Sequence, residues 1–324
     1  MLIKKSKKNT RFNLILNSDK TISDLKFAIH ISTKNRVNDL LFTLSNCQKL
    51  VLNNDIEIVV FDDGSTDGTY KFVKENYPKI IIHRNEISKG YLYCRNKMLN
   101  ETNAKYAISL DDDANFLSHN PLQEIENHFN NNPNCGLIAF RIFWGLQLPV
   151  TTISNENSQR VKGFVGCGHV WKIESWKKIP NYPEWFVFYG EEQYASYYLF
   201  KNNIQVHYLP SVLVHHRVDM LQRKNAKDSL FRNRYSLRSG WFLYFIFLPL
   251  PLALKTFFYS LFCQIKNKIF KFKYTATKSI ILAIGDLIIN LPKIISQRNK
   301  INYKDYKFYL NLQNTKIYWK PNEN

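Results

Sequence analysis

Three consecutive aspartates, Asp111-Asp112-Asp113, interrupt the segment Tyr106 to Phe116, read as YAISLDDDANF. Adjacent carboxylates repel one another at neutral pH, so a fold that gathers them normally neutralises them with something. A hard divalent cation is the usual answer, because Mg²⁺ and Mn²⁺ take oxygen ligands and bridge to substrate phosphates. Asp111 and Asp113 form a D-x-D pair suited to that task; a solvated acidic loop is the plain alternative. A second acidic pair, Glu191-Glu192, follows Gly190 and opens a helix expected to run to about Asn202. The positive end of a helix favours an ionised carboxylate, and an ionised carboxylate can accept a proton from a hydroxyl. An acidic pair that merely caps the helix is the other reading.

These groups need elements to position them. The apolar run Tyr106 to Leu110 has buried-strand character. Phe27 to Ile31 (FAIHI), Ile56 to Phe61 (IEIVVF) and Lys79 to His83 are the other expected strands of the first half. Val37 to Leu50, Thr69 to Tyr77 and Ser88 to Asn100 are helices between them, with Asp67 placed to cap the second. Strands alternating with helices predict a parallel sheet with crossover helices. Ligands of such sheets collect beyond the carboxyl ends of the strands. Thr33 to Arg36, Asp62 to Asp67 and Asp111 to Asp113 all fall on that rim. The second half is less regular: a strand at Ile138 to Phe143, a polar excursion at Trp144 to Gly163, and a glycine-bearing stretch at Phe164 to Trp171. A short helix at Glu174 to Ile179 and a strand and turn at Gln205 to His216 follow.

A chain of 324 residues can bury one large core or two domains. Its five cysteines are scattered and lack any C-x-x-C, which argues against a disulfide framework or a zinc site and for a reducing compartment. No signal peptide is visible near the N-terminus. The net charge of +19 is uneven: residues 1–20 carry +5, residues 221–324 carry +15, and the stretch between them is close to neutral at −1. Basic ends suggest a nucleic acid, an anionic membrane or an acidic polymer as partner. The division expected is a basic arm over 1–24, an α/β domain over 25–220 and a basic, apolar and aromatic helical region over 221–324. Trp241 to Leu254 has no charge but holds Pro249 and Pro251, and Ile280 to Leu291 repeats its apolar character. A spanning helix needs roughly twenty apolar residues, so helices lying in a membrane interface are expected here. A helical lobe packed on the α/β domain is the alternative.

The motifs FAIHISTKNR, IEIVVFDDGSTDGT, RNEISKGYLYCRNKML, YAISLDDDANF and FYGEEQYASYYLF stand in an order and spacing similar to the family-2 glycosyltransferases with the GT-A fold. The sequence most resembles the bacterial rhamnosyltransferase-like members that build surface polysaccharides. The resemblance covers about residues 26–216 and, more weakly, the RNRYSLR segment and the apolar stretch after it. It implies a GT-A, Rossmann-like domain that uses a UDP-, dTDP- or GDP-sugar donor and Mn²⁺ or Mg²⁺. It further implies an inverting transfer to a hydroxyl of a lipid-linked glycan or cell-surface polymer. By resemblance, Asp63 accepts from the nucleobase ring N–H, Thr33 and Arg36 line the nucleotide pocket, and Arg95 lies near the nucleotide-sugar with Asp111 and Asp112. Asp111 and Asp113 hold the metal, and a histidine after the final strand supplies a third ligand; His215 or His216 fits, with His215 the choice. Glu192 is the general base and Glu191 helps to bind the acceptor. Two positions depart from the family pattern, where an acidic residue and an arginine are replaced by Tyr194 and Tyr198. The expected setting is cytoplasmic, peripheral on the inner face of the cell membrane, with no nucleic acid bound. A nucleic-acid-binding protein and a scaffold that has lost catalysis are the rival readings.

Overall fold

A computed structural model describes residues 25–50, 55–219, 228–269 and 274–316, so the basic arm expected over 1–24 lies outside the described residues. Strand β1 (Phe27–Thr33) is buried along nearly its whole length, as a strand covered on both faces must be. It pairs in parallel with β2 (Ile56–Asp62) on one side and β4 (Tyr106–Asp111) on the other, and β2 pairs in parallel with β3 (Ile81–Arg84). Helices α1 (Val37–Gln48), α2 (Thr69–Asn76) and α3 (Tyr91–Glu101) connect these strands. The parallel half thus follows the sequence expectation closely. One helix starts later than its periodicity suggests: α3 opens at Tyr91 rather than Ser88, because Ser88, Lys89 and Gly90 are drawn onto the carboxylate of Asp63.

Beyond β4 the sheet becomes mixed. Strand β5 (Ala114–Phe116) leads to helix α4 (Pro121–Asn131), neither of which the sequence reading anticipated. The signal for α4 was present: Pro121 opens the helix, and Ile125 and Phe129, four apart, are buried. Strands β6 (Cys135–Trp144), β7 (Gln159–Val161), β8 (Gly168–Lys172) and β9 (Gln205–His216) complete the sheet. Its order is β3-β2-β1-β4-β8-β6-β9-β5, with β7 pairing β9 off this path. Strand β8 is antiparallel to both β4 and β6, β9 is parallel to β6, and β5 is antiparallel to β9.

After α5 (Ile173–Trp176) and α6 (Glu191–Lys201), the chain builds a helical lobe. It consists of α7 (Ser229–Phe247), α8 (Leu250–Gln264), a π-helical turn (Ile265–Ile269), α9 (Tyr274–Ile289), α10 (Leu291–Ser296) and α11 (Tyr303–Asn311). Pro249 and Pro251 end one helix and start the next, since proline suits a first turn and not an interior. Trp241, Phe242, Phe247 and Ile280 of the lobe share one buried core with Trp171, Phe186 and Tyr194 of the α/β half. Arg234 ties α7 to α9 through a bidentate pair with Asp286, at 2.7 and 2.5 Å. Among the described residues, no helix is long and apolar enough to cross a membrane.

Candidate functional site

The carboxyl ends of β1, β2 and β4 form one rim, set by a register that pairs Thr33 with Asp62 and Ser32 with Asp111. Asp63 leaves β2 just before Gly64, whose φ of +76° forms the turn. Its carboxylate accepts four hydrogen bonds, from Asn85 (2.7 Å), Ser88 (2.6 Å) and the backbone N–H groups of Lys89 (2.8 Å) and Gly90 (2.9 Å). These donors hold the acid below the ordinary range although burial opposes them. A carboxylate offers about four lone-pair sites, and all are taken. The structure thus engages Asp63, the residue expected to meet the nucleobase, in anchoring the loop before α3.

At the end of β4 the three aspartates are each met by cations or hydroxyls. Arg36 spans two of them, donating to Asp112 at 2.7 Å and to Asp113 at 2.8 Å. Thr33 donates to the other oxygen of Asp112 at 2.8 Å. Thr33 and Arg36 thus hold the acidic rim. Burial pushes Asp112 up to about 7 in spite of Arg36. Burial also acts on Asp113, but His216 and Arg36 overcome it and hold that acid well below the usual carboxylate range. Arg95, buried on α3, donates to Asp111 at 2.6 Å and to the carbonyl of Gly166 at 3.1 Å.

The histidine at this rim is His216, not His215. Strand β5 follows Asp113 directly and pairs Ala114 with His216, which brings that ring to 3.0 Å from Asp113 Oδ1. Neighbours along a strand face opposite sides, so His215 points away, against Phe143, and shares a 2.6 Å hydrogen bond with the carbonyl of Gly145. The expected ligand choice is therefore corrected by strand parity. Only the pairing register could have fixed that parity, because both histidines suit the end of a strand.

Glu191 and Glu192 form the opposite wall. Gly190 adopts φ +90° at the start of α6, a conformation that L side chains rarely take. Glu191 is nearly sealed from solvent; one oxygen lies 3.4 Å from Arg95 and the other has no hydrogen-bond partner. Glu192 accepts from the backbone N–H of Gly166 at 3.2 Å. A Cβ at Gly166 would lie 2.8 Å from the Glu192 carboxylate, so a side chain there would displace that carboxylate. Burial raises both acids above the usual range, and mutual repulsion adds to it for Glu191. The helix-end field expected to favour their ionised forms is outweighed by desolvation.

The lobe reaches into this wall. Arg238 donates to the carbonyls of Trp185 and Phe186, at 3.1 and 2.6 Å, and Ser239 donates to that of Phe188 at 3.0 Å. These bonds fix the loop that leads into Gly190. Tyr91 accepts from the backbone N–H of Tyr189 at 3.1 Å. Trp185 stacks on Phe242, and Trp171 is fully buried, so both serve packing. Tyr194 and Tyr198 contact Phe247, which explains why an acid and an arginine are replaced there: that face of α6 is covered by the lobe. Arg238, Tyr91 and Arg217, which donates to Asn115 and to Thr43, were not anticipated; their long-range partners leave no trace in local sequence.

Both walls enclose a cleft of about 1060 Å³, lined by Arg36, Asp111, Asp113, Glu191, Glu192 and His216, among others. Oxygen atoms of Asp111 and Asp113 and a ring nitrogen of His216 lie within 4.8 Å of one another. Asp113 Oδ1 is buried and lies 3.0 Å from the His216 ring nitrogen, so a cation placed between the two would meet both. Two carboxylates and one imidazole suit a hard-to-borderline divalent ion such as Mn²⁺. Burial lowers the basicity of His216, but Cys167 and Asp113 raise it well above the ordinary value, so an incoming metal would have to displace a proton.

Residues 28–180 match the model of glycosyl transferase family 2. Solved structures similar to this one are GT-A glycosyltransferases, and the fold is of that class. GalNAc-T7, crystallised with UDP, GalNAc and Mn²⁺, superposes with a TM-score of 0.51 at 15% identity, over 60% of this chain and 44% of that one. S. aureus TarS gives 0.51 at 17% identity, over 64% of this chain and 38% of its own. The chain therefore spans less than half the length of these two. The mannosyltransferase PcManGT from Pyrobaculum calidifontis, in complex with GDP-Man and Mn²⁺, gives 0.50 at 13% identity, over 92% of this chain and 82% of that one. No curated protein matches the sequence.

Proposed function

We propose that the chain is a metal-dependent, inverting glycosyltransferase that moves a sugar from a UDP-, dTDP- or GDP-linked donor to a hydroxyl of a lipid-linked glycan or cell-surface polymer. The observation that carries this reading is the convergence of Asp111, Asp113 and His216 on one wall of a cleft whose other wall presents Glu191 and Glu192. Asp111, Asp113 and His216 would hold Mn²⁺ or Mg²⁺, with the imidazole favouring Mn²⁺. When bound, the ion offsets charge on the departing nucleoside diphosphate.

The remaining chemistry belongs to the protein. Arg95 and Arg36 place positive charge beside the acidic rim, where a diphosphate would otherwise be repelled. Glu192 would take the acceptor hydroxyl proton as that oxygen attacks the anomeric carbon. A basicity raised by burial brings its acid closer to neutral pH, where general bases work best. Glu191, paired with Arg95, would orient the acceptor. One displacement with one base inverts the anomeric centre. Mass spectrometry of reactions with a panel of nucleotide-sugars, Mn²⁺ and a lipid extract tests the proposal. It predicts a glycosylated lipid product that is absent with chelator. Nucleotide binding without turnover of any donor would instead support a non-catalytic scaffold.

A further inference from the structure

The lobe buries one side of its helices and leaves another uncovered. On α8, Leu254, Phe258 and Phe262 recur every four residues and are 39%, 60% and 58% exposed, while Ala253 and Phe257 on the other side are buried. On α9 and α10, Ile281, Ile288 and Ile295 are 64%, 66% and 61% exposed. Four-residue spacing sets the α8 side chains on one helical face. Helices α8 and α9 both pack on α7 and both contact the π-helical turn, which makes them neighbours in the lobe. Large side chains exposed in such number mark an interaction site.

The charge around them narrows the partner. Lys255, Lys266, Lys278 and Lys293 are exposed on these same elements. Between Asp228 and Asp305 the sequence holds thirteen Lys/Arg and a single acid, Asp286, which is buried and bound by Arg234. An apolar row flanked by lysines, with no exposed acid, complements an anionic phosphate surface over hydrocarbon. Two copies of the same face would set lysine against lysine, which disfavours a symmetric dimer. Helix α8, at 15 residues, is about 22 Å long against a hydrocarbon core of about 30 Å, so it can lie on a bilayer but not cross it.

We infer that the face formed by α8, α9 and α10 docks on an anionic lipid bilayer, with the apolar row in the headgroup boundary and the lysines on the phosphates. This rests on the lobe alone and stands apart from the transferase reading. The test is co-sedimentation of the full chain with vesicles of phosphatidylglycerol and phosphatidylcholine, against phosphatidylcholine alone, at low and high salt. Wild type should bind the mixed vesicles, less so as salt rises, and the neutral ones much more weakly. The double variant Phe258→Asp/Phe262→Asp should lose binding by at least about tenfold, and Lys255→Ala/Lys278→Ala by about fivefold per lysine. Circular dichroism checks that both variants fold, and the salt response of wild type stands whether or not they do. Binding to neither vesicle, or equal and salt-insensitive binding to both, would overturn the inference. So would a lipid-free dimer that the phenylalanine variant abolishes.

Discussion

Asp111–Asp113 and Glu191–Glu192 face the same cleft, yet the fold treats the two groups of carboxylates in different ways. The aspartates sit among Arg36, Arg95 and His216, at 2.6 to 3.0 Å. The glutamates are desolvated and raised above the usual carboxylate range; Glu191 lies 3.4 Å from Arg95, and Glu192 accepts from the Gly166 N–H. Asp113, paired with Arg36 and His216, is held ionised and suits a metal ion, whereas the buried glutamates become stronger bases. Arg95 joins the two groups, so one buried guanidinium sets the balance between them. Under the proposed function, that difference would suit one wall to binding and the other to proton transfer.

The largest effect should come from removing the base. Glu192→Gln keeps size and the bond from Gly166 but cannot accept a proton. Turnover should fall 10²- to 10⁴-fold, about 3 to 5 kcal/mol of barrier, with nucleotide affinity nearly unchanged. Glu191→Gln should cost less and act mainly on acceptor affinity. Steady-state rates and nucleotide titrations on both variants test the division, and a large loss of turnover confined to Glu191→Gln would exchange the two roles.

The parallel half was legible in the sequence because apolar residues dominate its two central strands and β4, and its clusters lie directly at their ends. Gly190-Glu191-Glu192 was legible as a helix start for the same local reason. What stayed hidden depends on pairing across the chain. His216 was passed over for His215 because facing direction follows from the β5–β9 register. The saturation of Asp63 required knowing that Ser88 to Gly90 fold back onto it. Arg238 looked like one basic residue among many, yet it fixes the loop before the glutamates from 52 residues away.

The link between the walls can be broken at Arg95. Arg95→Met would leave Glu191 buried without a cation, and loss of one partner from a buried pair costs about 3 kcal/mol or more. Chemical denaturation should show that loss, and Glu191→Gln added to Arg95→Met should recover part of it. No recovery would mean that Arg95 does not balance the two walls.

The contrast extends to histidine. His30 on β1 is buried, neither ring nitrogen has a hydrogen-bond partner, and burial, with the nearby His83, lowers it from 6.5 to about 3. The unfolded chain therefore binds a proton that the folded chain refuses between those values. Stability contributed by neutral His30 is present above about pH 6.5 and is lost as pH falls toward 3, by up to about 1.4 kcal/mol per pH unit. Denaturation midpoints across that window should flatten in His30→Leu; an unchanged slope would contradict the assignment.

Calorimetric titration of UDP, GDP and dTDP tests most directly whether Asp111, Asp113 and His216 hold a metal. Wild type should bind one of them more tightly with Mn²⁺ than with chelator. Asp113→Ala and His216→Ala should lose that enhancement while remaining folded, and His215→Ala should retain it. Nucleotide affinity indifferent to chelator, or an enhancement that survives in Asp113→Ala and His216→Ala, would contradict the account.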